Sequence, residues 1–134
     1  TLPGQISPNH FHWNKMEDII NRGGGTVLIQ LYNSTGDGNL ADTPVLISMD
    51  GRNYTVPAGT TVRLTPGESI TLFPGVYHKF WGEKGEGLTL LGEVSSVNDD
   101  NIDNRFLEKT GRFPEIEEDE PPFRLLVIDY RKGV

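Results

Sequence analysis

His10 and His12 stand two residues apart, Glu17 follows in the pattern H-x-H-x4-E, and His78 lies far downstream behind Pro74-Gly75. They are the three histidines of the chain. In an extended strand, residues two apart point to one face, so His10 and His12 can offer two imidazoles to a single point. Glu17 lies close enough to fold back on the same centre, and a Pro-Gly turn can steer His78 in from a neighbouring strand. Three neutral imidazoles and a carboxylate make an N3O donor set for a divalent metal such as Mn, Fe, Co, Ni or Zn. An H-x-H pair arises often by chance, and the added glutamate and Pro-Gly-x2-His carry the weight.

Short alternating runs supply the scaffold. Val27, Ile29 and Leu31 alternate, as do Val45, Ile47 and Met49. The Asp50-Gly51 pair predicts a hairpin returning through Arg52 to Val56. Val62 with Leu64 and Ile70 with Leu72 flank Pro66-Gly67, and Tyr77 to Trp81 follows Pro74-Gly75. Leu88 to Val97 and Phe123 to Tyr130 read as further strands. Many short strands between Gly/Pro turns predict a sandwich or barrel. From Asn14 to Arg22, Met16, Ile19 and Ile20 have helix-like spacing closed by Gly23-Gly24-Gly25, which reads as a short helix or a bulged continuation of the first strand. Asn98 to Phe113 reads as a loop or helical excursion, and Glu115 to Glu120 as a solvated acidic loop.

At 134 residues the chain fits one domain over 1–134. Its 16 glycines and 9 prolines favour turns over long helices. A net charge of -7 argues against nucleic acid or an anionic membrane surface as partner, and no apolar run is long enough to span a bilayer. Without cysteine there are no disulfides, thiolate zinc sites or cysteine nucleophiles, in agreement with a reducing, cytoplasmic setting. The chain starts at Thr1 and reaches His10 almost at once, so an upstream segment is expected to be missing.

The pattern Gly4-x5-His10-x-His12-x4-Glu17-x5-Gly23 resembles the first cupin motif, and Gly67-x6-Pro74-Gly75-x2-His78 the second. The second departs in its turn, where cupins usually show Pro-x-Gly. Longer strings resemble the cupin-type D-lyxose isomerases: HFHWNKMEDIINRGGG from His10, PGVYHKFW from Pro74, GEVSSVNDDN from Gly92 and GRFPEIEE from Gly111. The resemblance implies an all-β, single-domain cupin, a jelly-roll barrel with short helical segments. It implies a metal held by His10, His12, Glu17 and His78, with manganese first and cobalt, iron, nickel or zinc as alternatives. It further implies interconversion of D-lyxose and D-xylulose, and of mannose and fructose, through a cis-enediol. A homodimer is expected, since pairing would cover sheet edges.

That chemistry needs an acid–base group and a donor. Glu93 lies in an apolar strand, where an inward position would desolvate it and suit it to proton transfer. Lys15, between His12 and Glu17, could donate to an enediolate oxygen. Asp103, in a polar loop, could bind hydroxyls or relay protons. Trp13, Phe80 and Trp81 could stack on a sugar face. Asp99, Asn101 and Asp103 mimic a calcium loop, but Asn104 and Thr110 stand where its glycine and glutamate belong, so calcium is rejected. The rival readings are a cupin isomerase for a phosphorylated sugar, an iron-dependent dioxygenase, and a sugar-binding cupin without catalysis.

Overall fold

The computed structural model describes residues 1–99, 101–108 and 119–125. Eleven strands run in chain order: β1 (His10–His12), β2 (Glu17–Gly24), β3 (Val27–Ser34), β4 (Leu40–Ala41), β5 (Val45–Met49), β6 (Arg52–Val56), β7 (Thr61–Leu64), β8 (Ser69–Leu72), β9 (Val76–Gly82), β10 (Thr89–Ser95) and β11 (Asn104–Phe106). One antiparallel sheet is ordered β11-β1-β9-β3-β4, with β7 also paired to β3, and the other β10-β2-β8-β5-β6. The expected all-β, jelly-roll architecture of the cupin type is present.

Alternation explains the packing. β7 and β8 bury every second residue, and β2 and β3 do so along their first halves. Ile19, Ile47, Ile70 and Leu72 from one sheet meet Val27, Ile29, Leu31, Val62 and Leu64 from the other in one core. Each such side chain contributes about 1.5–3 kcal/mol when fully buried. The hairpin at Asp50-Gly51 joins β5 to β6 with both residues at positive φ, the conformation of a type I′ turn. Before β9, Val76 N donates to Phe73 O at 3.1 Å and Gly75 takes φ +78°, so Pro74 and Gly75 occupy the central positions of a type II turn.

The short helix is not found. The chain bends at Trp13 and Asn14, Lys15 and Met16 are irregular, and Glu17 onward is a central strand between β8 and β10. Glu17, Ile19 and Asn21 point inward with period two, and this tertiary pairing overrides the helix-like spacing of Met16, Ile19 and Ile20. Gly24 ends the strand for steric reasons rather than capping a helix: it sits at φ +88°, and a Cβ there would come within 2.0 Å of the Leu88 carbonyl oxygen. No helix occurs among the described residues. The loop expected from Asn98 contains β11, which pairs with β1 because its backbone completes that sheet's edge. Phe123 to Leu125 are exposed and lie in no strand; the rest of the strand expected there, Glu115 to Glu118 of the acidic run, and the string from Gly111 fall outside the described residues.

Candidate metal centre and sugar cavity

β1 supplies His10 and His12, and β9 supplies His78 directly opposite His10 in the antiparallel ladder. The His10 and His78 ring centroids are 4.2 Å apart, and those of His10 and His12 5.3 Å. The turn before β9 is tied to the same strand, since Gly75 N donates to His12 O at 2.9 Å. Glu17 comes from the other sheet. One donor atom from each of these four side chains lies within 4.8 Å of every other. Glu17 Oε1 is 2.9 Å from His78 Nε2 and 3.7 Å from His12 Nε2, while its Oε2 is 2.6 Å from Lys15 Nζ. The carboxylate thus divides its oxygens between the imidazoles and the ammonium.

The environment favours the neutral form of His10 and His12, the form that ligation requires. Burial, and then the neighbouring His78, push His10 down to about 4. Burial likewise lowers His12. Burial alone would raise the Glu17 carboxyl, but His78 and Lys15 outweigh it and hold it well below the usual carboxylate range. Lys15 is raised: burial opposes its charge, and Glu17 and Glu93 more than offset that. Both ring nitrogens of His12 are buried without a hydrogen-bond partner among the described residues, while the buried Nε2 of His78 meets Glu17 Oε1 at 2.9 Å. Orphaned buried nitrogens are costly unless something fills their lone pairs. The Nε2 atoms of His12 and His78 both face Glu17, and a divalent cation fits that donor set.

His10, His12 and Glu17 of the cluster floor a cavity of about 410 Å³, whose walls include Lys15, Glu93, Ser95, Phe80, Phe106 and Asn104. That size lies in the range of small-molecule sites. Glu93 is opposite Ile19 in the β2–β10 ladder, so it shares the inward face. The desolvated position anticipated for it is not found, because β10 is a sheet edge at the cavity mouth. Its side chain is 48% exposed, and its Oε1 accepts from Lys15 Nζ at 2.8 Å. Asp103 is buried behind the floor and does not line the cavity. Its Oδ1 accepts from Asn14 N at 2.8 Å and Asn14 Nδ2 at 3.0 Å, and its Oδ2 from Lys15 N at 3.1 Å.

Of the aromatics expected to stack on sugar, Phe80 reaches the cavity and the two tryptophans do not. Trp13 packs on Phe11 on the opposite face of β1, 4.6 Å between centroids, because strand alternation turns it away from His12. Trp81 is likewise one residue out of phase with Phe80 and lies against Ile6 and Lys79. Phe106 was not singled out from the sequence, yet its ring stacks on His10 at 5.4 Å. Three residues are too few for a readable period, and its only local signal is alternation with Asn104.

The D-lyxose isomerase family matches this chain over residues 1–130. The D-lyxose/D-mannose isomerase of Serratia proteamaculans is 55% identical over 130 residues, covering 97% of this chain and 57% of that protein. The protein of the same name from Escherichia coli O157:H7 is 50% identical over 128 residues, covering 96% and 56% respectively. The chain therefore spans little more than half the length of these curated relatives.

Proposed function

The chain belongs to the D-lyxose isomerase family, and from that premise we propose that its cavity carries a metal-assisted aldose–ketose isomerisation of a free monosaccharide, D-lyxose or D-mannose to the matching ketose. The observation that carries this reading is the convergence of His10, His12, Glu17 and His78, the first three of them lining a polar cavity that also holds a lysine–glutamate pair. The four side chains would hold a divalent ion, manganese by preference for an oxygen-rich substrate. When bound, such an ion supplies electrophilic polarisation of the sugar's O1 and O2.

The remaining steps fall to the chain's own groups. The Glu93 carboxylate takes the proton from C2 of the open-chain aldose. The C2–H electron pair forms the C1–C2 double bond, and the carbonyl pair moves onto O1, where it takes up a proton to complete a cis-enediol. Loss of the O2 proton then returns a carbonyl at C2, and Glu93 gives its proton to C1. Lys15 Nζ donates to the developing oxyanion and, at 2.8 Å, keeps Glu93 turned into the cavity. Phe80 and Phe106 present apolar walls to the sugar's C–H faces. A phosphorylated substrate suits the cavity less well: Lys15 is the one cationic side chain lining it among the described residues, and two carboxylates already claim it. The cysteine-free composition supports a cytoplasmic setting, and a homodimer remains part of the proposal on the ground of sheet edges that stay unpaired among the described residues.

The test is an assay of metal-stripped protein with Mn²⁺ restored, scored on lyxose, mannose and xylose and on their phosphate esters. Restored turnover of a free aldose supports the reading. Sugar binding without turnover, or preference for an ester, overturns it. Deuterium at C2 is expected to exchange partly with solvent; full retention would point to a hydride shift and remove Glu93 from its role.

A further inference from the structure

Each histidine of the cluster has an oxygen behind its Nδ1. His10 Nδ1 is 2.7 Å from Pro8 O, and His78 Nδ1 is 3.0 Å from Val76 O. These contacts fix Nδ1 as the protonated nitrogen and leave Nε2 for the centre. His12 is the exception. Among the described residues its Nδ1 has no hydrogen-bond partner, and Asp103 Oδ2 stands 3.9 Å from it. Both of its ring nitrogens are buried and unpartnered, so the ring lies between two carboxylates without a bond to either. A movement of about 1 Å would bring Nδ1 into hydrogen-bond range of Asp103.

We propose that Asp103 is the positioning residue of this site: its Oδ2 orients the His12 imidazole from behind, and its two oxygens together fix the turn that delivers Lys15 to Glu93. The turn is the link between the two sheets' donors. His10 and His12 precede it, Glu17 follows it, and three of the donors Asp103 accepts from lie in Asn14 and Lys15. Trp13 N also donates to Asp103 O at 3.0 Å, so the same residue grips the turn through its main chain. This role differs from binding sugar hydroxyls, because Asp103 does not line the cavity. A carboxylate behind a ligating imidazole fixes its tautomer and raises its basicity, and losing it typically weakens metal affinity about 10–100-fold.

The proposal rests on the metal-site reading, and the experiment separates the two. Mn²⁺ affinity is measured for the wild type, Asp103→Asn and Asn14→Ala. Asparagine keeps the shape but turns an NH₂ toward the donors Asp103 now accepts from. Asp103→Asn is expected to bind Mn²⁺ about 10–100-fold more weakly. Asn14→Ala, which loosens the turn without touching Oδ2, should melt earlier yet keep its affinity within about twofold. Unchanged affinity in Asp103→Asn, or an equal loss in Asn14→Ala, overturns the proposal alone. A wild type that binds no Mn²⁺ overturns the metal site and the proposal with it. If Asp103→Asn does not fold, Zn²⁺-loaded wild type answers by NMR. A downfield, slowly exchanging His12 Nδ1 proton supports the pairing, and rapid exchange with solvent refutes it.

Discussion

Strand β2 buries a polar side chain at each end of one interior face, and the two ends are built differently. Asn21, wholly buried, satisfies both its amide donors and its oxygen within the protein itself. Its Nδ2 donates to Gly25 O and Leu64 O at 2.9 Å each, and its Oδ1 accepts from Gly23 N at 3.0 Å. Glu17, almost as buried, faces His78 Nε2 at 2.9 Å and His12, whose ring nitrogens have no hydrogen-bond partner among the described residues. Ile19 separates the two ends. Burial of a polar group therefore does not distinguish architecture from chemistry here. Unfilled hydrogen-bonding capacity does, because a native interior tolerates it only where something else completes it.

Breaking the open end should have the largest effect. His78→Ala is expected to lose Mn²⁺ binding by more than the ~100-fold upper range seen for supporting residues, and to lose isomerase activity with it; retained metal content by elemental analysis would remove His78 from the ligand set. Next comes Glu93→Gln, which should still bind metal and sugar while kcat falls about 10²–10⁴-fold. Steady-state kinetics beside a sugar-binding isotherm decide it, and a change confined to KM would make Glu93 a binding group only.

The closed end should answer in stability alone. Asn21→Ala strands Gly23 N, Gly25 O and Leu64 O, at a cost of about 3–9 kcal/mol if each group is left unpaired. Urea denaturation reads the loss, and Mn²⁺ affinity of the folded fraction should not change; a coupled fall in affinity would erase the distinction between the two ends.

The smallest effect is a pH dependence peculiar to the open end. His10 falls from an unfolded value of 6.5 to about 4 in the folded, metal-free protein. Between those values the unfolded chain binds more protons than the folded one, so stability drops as pH falls from 6.5 to 4 and levels off below. One group with this shift contributes on the order of 3 kcal/mol across the window. Thermal melts of metal-stripped protein at pH 7 and pH 5 should show the decline. A His10→Gln variant lacking it would confirm the source, and a decline of equal size in that variant would assign it elsewhere.

Much of this was legible in the chain because the signals were local. Asp50-Gly51 and Pro74-Gly75 set turns through their own backbone preferences, and the alternation of Val27, Ile29 and Leu31 reports one buried face. The H-x-H-x4-E spacing likewise gathers its donors across a single turn. What stayed hidden depends on distant partners. The helix-like spacing after Asn14 gives way to a strand because β8 and β10 lie on either side of it. The three residues of β11 become a strand only against β1. The exposure of Glu93 follows from β10 being a sheet edge, and the bonds of Asp103 run to residues whose sequence separation from it is 88 and 89. No window of neighbouring residues contains that information.

The donors of the cluster are shared between the layers: three nitrogens hang from one sheet and the carboxylate from the other. An ion seated there would act as a rivet through the sandwich, drawing both layers together at the cavity floor. Added Mn²⁺ should then raise the melting temperature in step with the logarithm of its free concentration. A chelator should loosen that end first, with amide exchange rising in β1 and the start of β2 while the strands around Asn21 hold.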